Sequence, residues 1–86
     1  MRIGGKTALS EILGEARRSQ ARYGDFTSTH EALGVLCEEM AELQSAVHSN
    51  MLESVRHEAI QVAAVALRLA VHCRGMHSAF AARSIP

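Results

Sequence analysis

Apolar residues recur every three or four positions along most of this chain, the spacing of amphipathic helices. Leu9, Ile12, Leu13 and Ala16 form one narrow stripe. They predict a first helix from about Thr7, its N-cap, to about Tyr23, with Gly24 as a left-handed C-cap. Ser28 and Glu31 make an S-x-x-E capping box, so a second helix begins near Thr29 and runs to about His48. Asn50 and Glu53 repeat that arrangement less fully and open a third helix near Met51, which Gly75 ends after about Arg74. On the second helix Ala32, Leu33, Val35, Leu36, Met40, Leu43, Ala46 and Val47 fall within one arc, the expected core face.

The third helix differs in kind. Twelve of the fifteen residues from Ala59 to Cys73 are apolar, so it has almost no solvent face and should be buried on nearly all sides. Three helices of one chain can hardly cover it, which predicts a dimer or a larger assembly. Residues 1–6 read as a loose arm, and residues 76–86 as a short C-terminal tail with a small apolar set at Ala79, Phe80, Ala81 and Ala82. The 86 residues make one domain.

Composition fixes the kind of core. The chain is 48% hydrophobic but only 3% aromatic, so its interior is aliphatic, which favours packed helices over a sheet. The fold class is all-α, a three-helix protomer with a short C-terminal segment. Nine basic and nine acidic residues give a formal charge of zero, which offers no electrostatic grip on nucleic acid. Cys37 and Cys73 lack C-x-x-C or Cys/His ligand spacing and read as small core residues in a reducing compartment. No signal-like segment opens the chain, and the apolar run of the third helix is too short and too interrupted to span a bilayer. The expected location is cytoplasmic, away from membranes.

The remaining pattern is acidic. Glu38, Glu39 and Glu42 lie within five residues on the second helix. Glu31, Glu38 and Glu42 edge its apolar arc, while Glu39 falls inside it. A carboxylate there must be paired, metal-bound or protonated, because an unpaired buried charge costs on the order of several kcal/mol. On the third helix Glu58, Gln61, Arg68 and His72 gather on one flank, interrupted by Val65. A polar stripe on a buried helix needs partners, and two arrangements supply them. Arg68 neutralises Glu39 or Glu58 in an ion network, or the carboxylates hold a divalent metal. Arg17, Arg18 and Arg22 crowd the end of the first helix, where cations complement the helix dipole.

Glu38-Glu39-x-x-Glu42, fifteen intervening residues and Glu58-x-x-Gln61 resemble the EExxE…ExxD signature of the MazG-like, all-α nucleoside triphosphate pyrophosphohydrolases. The flanking text, His30 to Leu36 before the acids and Glu58 to Arg68 after them, is similar to small MazG-like proteins of bacteria and phages. The resemblance covers about residues 10–74. It implies a helical bundle completed by dimerisation, a four-helix-bundle-like core in a homodimer or homotetramer. It implies Mg²⁺, with Mn²⁺ as a substitute, held by Glu39, Glu42, Glu58 and Gln61, with Glu38 as a further ligand or a catalytic base. The implied activity converts a nucleoside triphosphate to a monophosphate and pyrophosphate. Arg68 would reach a phosphate or serve in an ion pair, and Tyr23 and Phe26 would stack on a base or plug the core beside the loop. One position departs from the signature. The final Asp is Gln61 here, and an amide oxygen can coordinate Mg²⁺ but carries no charge and cannot act as a base. The alternative function is therefore a catalytically silent bundle of the same fold that binds a nucleotide or a protein.

Overall fold

The computed structural model describes residues 5–84, with side chains described from Thr7 to Arg74. Three helices and no strand make up the described residues: α1 (Gly5–Tyr23), α2 (Thr29–Ser49) and α3 (Leu52–Ser84). Gly24 ends α1 in the left-handed region at φ 76°, and its N–H returns to the Gln20 carbonyl at 2.9 Å. At the start of α2 the Ser28 hydroxyl accepts the Glu31 N–H at 3.0 Å. The Glu31 carboxylate in turn accepts the Thr27 N–H at 2.8 Å, one residue earlier than the usual capping box. Ser28→Ala removes the hydroxyl that accepts the Glu31 N–H. We expect it to cost about 1 kcal/mol, read as a fall in melting temperature of about 4–8 °C in a domain of this size.

Three boundaries differ from the sequence expectation. α1 begins at Gly5, two residues before Thr7. Asn50 is not an N-cap of the third helix: it sits at φ 57° as the left-handed C-cap of α2, its N–H bonded to the Val47 carbonyl. Asn tolerates that conformation better than most residues, so one side chain suited to either helix end was claimed by the first. Gly75 does not end α3, whose backbone continues helically to Ser84. One glycine costs a helix only about 1 kcal/mol, and the next proline is Pro86. Residues 1–4 of the expected arm lie outside the described residues, as do the last two of the tail and all its side chains.

α3 is the central element. α1 and α2 each pack against it, and among the described residues they do not pack on one another. The tight turn at Asn50 and Met51 makes α2 and α3 an antiparallel pair. α1 runs parallel to α3, since Glu11 bonds Arg56 near one end and Gln20 bonds Arg68 near the other. At 1.5 Å per residue α3 is about 50 Å long against about 30 Å for each neighbour, so neither spans it.

The core is small. Phe26, Ala32 and Val65 form its buried centre, with Val35, Leu36 and Leu69 packed around them. Ala16, Ala46 and Ala64 are also buried. Among the described residues no large side chain is fully buried. The expected core face of α2 is wider than α3 covers: Leu33 remains 52% exposed, Met40 40% and Val47 49%. Leu9 and Leu13 of the α1 stripe are likewise exposed, leaving Ile12 and Ala16 to face inward. α3 itself is open along Ala59, Ala66 and Ala70. Cys37 and Cys73, expected in the core, are both free and exposed, on faces that no neighbouring helix covers. Among the described residues no helix is long and apolar enough to cross a membrane.

Candidate metal centre

α2 and α3 bring three carboxylates together. Glu39 and Glu42 lie one turn apart on α2, and Glu58 comes from the second turn of α3, opposite them in the antiparallel pair. One carboxylate oxygen from each can be chosen so that all three lie within 4.8 Å of one another. Glu39 and Glu58 are half-buried and Glu42 is exposed, so the cluster sits at the rim of the helix pair with one side open. Glu38 lies on the exposed flank.

Two oxygens in this cluster stand out. Glu39 Oε2 and Glu58 Oε1 are each shut off from solvent and have no hydrogen-bond donor. A shielded carboxylate oxygen with no donor is costly, because the water it gave up has not been replaced. The Glu39 carboxyl is accordingly pushed above the usual carboxylate range. Desolvation is the main cause, followed by repulsion from Glu42, Glu58 and Glu38, with His57 pulling the other way. Carboxylates brought this close share a need for a cation, and oxygen donors of this kind suit Mg²⁺, Mn²⁺ or Ca²⁺.

Arg68 does not supply that cation. It is 9% exposed and turned toward the far end of α1. Its Nε donates to Gln20 Oε1 at 3.3 Å, and a terminal nitrogen donates to the Gly24 carbonyl at 3.1 Å. The guanidinium lies 4.3 Å from the centre of the Phe26 ring. Arg68 thus fastens the α1–α2 loop to α3, and the ion network with Glu39 or Glu58 is not formed through it. Phe26 is a buried core plug whose ring also meets His72 edge-on. Tyr23 is 68% exposed, with Arg22 over its ring at 5.3 Å. These contacts separate the two aromatics: Phe26 is enclosed, whereas Tyr23 is open to a partner.

Gln61, one turn beyond Glu58, faces α1. The Arg18 hydrogen bond, against desolvation, holds the Glu15 carboxyl below its ordinary pKa, with smaller contributions from the Arg18 charge, Ser19 and, last, Gln61. Glu15 was not among the expected site residues. Its sequence signal is faint: Glu11 and Glu15 lie one turn apart beside the apolar Ile12 and Ala16. A groove of about 510 Å³ also opens beside Glu42 and Glu58, lined by Ser45, Ser49 and Ser54. Glu42, Ser45 and Ser49 continue one another along α2 at helical spacing, a pattern that is visible in sequence but common on solvated helices. Compared with known proteins, the chain matches no family model, no curated protein and no solved structure.

Proposed function

We propose that this protein is a MazG-like, Mg²⁺-dependent nucleotide pyrophosphohydrolase that works as a homodimer or homotetramer. The observation that carries the reading is the pair of shielded, donor-less oxygens on Glu39 and Glu58, within a set of three convergent carboxylates. Such oxygens are what a cation site presents before the cation is added. Glu39, Glu42 and Glu58 would hold the metal, with the neutral Gln61 oxygen as a further donor. When bound, Mg²⁺ neutralises phosphate charge and activates water for attack on phosphorus. Glu38, whose charge acts on the Glu39 carboxyl, would take a proton from that water. The serine-lined groove offers hydroxyl donors to phosphate oxygens alongside Glu42 and Glu58. Tyr23, exposed at the end of α1, remains the candidate for stacking on a base, and Arg68 is assigned a loop-fastening role ahead of phosphate contact.

A second reading, a silent bundle that binds a nucleotide or a protein, is favoured by one feature: the position of the signature's last acid is occupied by the uncharged amide Gln61. Pyrophosphate release from a panel of ribo- and deoxynucleoside triphosphates with Mg²⁺ or Mn²⁺ separates the two. The enzyme reading expects turnover with at least one nucleotide and a loss of about 100-fold or more in Glu58→Gln, since removing one charged donor from a metal site strips both affinity and electrostatic stabilisation. No turnover with any nucleotide, together with no Mg²⁺-dependent rise in melting temperature, leaves only the silent bundle.

A further inference from the structure

A second concavity lies away from the carboxylates. A cavity of about 560 Å³ opens between the C-terminal half of α1, the α1–α2 loop and α3. Leu13, Ala16, Phe26, Leu67 and Val71 give it an apolar lining, in which Ala16 and Phe26 are buried while Leu13 and Val71 are exposed at the rim. None of Glu39, Glu42 and Glu58 lines it, and Arg68, which does, lies ten residues beyond Glu58 on α3, about 15 Å along the helix axis. The lining carries two guanidinium groups, Arg17 and Arg68, against one carboxylate, Asp25. Among the described residues neither arginine forms an ion pair. Arg68 is 9% exposed, and its hydrogen bonds go to neutral oxygens of Gln20 and Gly24. The Asp25 carboxylate is engaged by the Gln20 side-chain amide. His72 also lines the cavity, and its Nε2 is shut off from solvent without a hydrogen-bond partner.

We propose that this cavity binds a small organic carboxylate with a compact apolar body, the body against Phe26 and Leu67 and the carboxylate toward Arg17 and Arg68. The site is independent of the metal and the nucleotide proposed above. A concave, mostly apolar space of this size with a few polar groups is the usual form of a small-molecule site. Charge decides the kind of ligand. A buried guanidinium satisfied only by neutral acceptors keeps its charge uncompensated, and a carboxylate offers it the stronger, charge-assisted hydrogen bonds. Two arginines against one aspartate leave a single positive charge in excess, which suits one anionic group. A second copy of the chain is a poorer occupant. Ala59, Ala66 and Ala70, the open face of α3, share one side of that helix, and Arg68 and Val71 fall on the other. A neighbour that covers the open alanines therefore leaves the cavity free.

Calorimetric titration of the full chain with octanoate, octanol and octylammonium, without metal or nucleotide, tests this. The three probes share one apolar body and differ in charge. Octanoate should bind about tenfold tighter than octanol or better, because a hydrogen bond to a charged group is worth at least that factor, and octylammonium should bind more weakly than either. Arg17→Met keeps an apolar stem and removes the charge, so it should weaken octanoate about tenfold and leave octanol unchanged. Val71→Glu sets a negative charge at the rim and should repel octanoate while sparing octylammonium. Both positions are exposed, and exposed substitutions of this kind leave a fold largely intact. Amide shifts on adding octanoate should centre on Ala16, Phe26 and Leu67. No binding of octanoate by wild type overturns the proposal. Equal affinity for octanoate and octanol, or octanoate binding unchanged in both variants, overturns it in favour of unselective apolar contact. Amide shifts centred on Leu33, Met40 and Val47 overturn it by placing the ligand on the exposed face of α2.

Discussion

Glu39→Gln is expected to raise the melting temperature of the metal-free protein by a few degrees and to abolish most of the stabilisation that Mg²⁺ or Mn²⁺ confers. The two effects have one origin. Without a cation, Glu39 is a partly shielded charge beside Glu42, Glu58 and Glu38, and one of its oxygens has no donor. An amide removes the repulsion and retains the shape. With a cation, the same charge becomes a ligand. A metal at 100 times its dissociation constant stabilises a folded protein by about 2.7 kcal/mol, or roughly 10–20 °C for a domain of this size. Wild type should show that rise in a thermal melt, and Glu39→Gln should show little of it. A metal-free variant that melts lower than wild type would contradict the account of Glu39 as an uncompensated charge.

The pH dependence follows from the same residue. Its folded pKa lies above the unfolded value, so between the two the folded chain binds more protons than the unfolded one. Stability of the metal-free protein therefore falls as pH rises from the ordinary carboxylate range through the raised pKa, and levels off above it. Metal affinity should move the other way and grow over that window, because the proton and the cation compete for one carboxylate. Glu39→Gln should flatten both curves.

Met40→Lys is expected to convert a dimer or larger species into a monomer, measured by sedimentation or light scattering. Leu33, Met40 and Val47 are seven residues apart, and Leu36 and Leu43 lie between them at the complementary positions of a heptad. All three of the first set are about half exposed. Completing their burial is worth about 1 kcal/mol each, or about 3 kcal/mol per protomer. The open Ala59, Ala66 and Ala70 on α3 allow a second helix to approach closely. A lysine at the middle of such a seam must give up its water without a partner, at a cost of several kcal/mol. Wild type should also melt at a temperature that rises with protein concentration, and the variant should not. A monomeric wild type at micromolar concentration would remove the self-association proposal.

What was legible in the sequence is what depends on near neighbours. The three helices follow from apolar spacing, the start of α2 from Ser28 and Glu31, and the end of α1 from Gly24, because caps and periodicity are settled within one turn. The separation of Glu39 from Glu38 and Glu42 was legible for the same reason, since helical geometry alone sets their angles. Asn50 and Gly75 were not, because each suits more than one local structure. Packing settled the rest. Only the antiparallel pairing of α2 and α3 brings Glu58 within 4.8 Å of Glu39 and Glu42. Only the parallel register of α1 pairs Glu11 with Arg56 and draws Arg68 toward Gln20 and Gly24 instead of the acids. The sequence by itself determined an all-helical chain with an inward-facing acid. The tertiary structure decided which charges meet, because that depends on how far each helix slides along its neighbour, which local spacing does not specify.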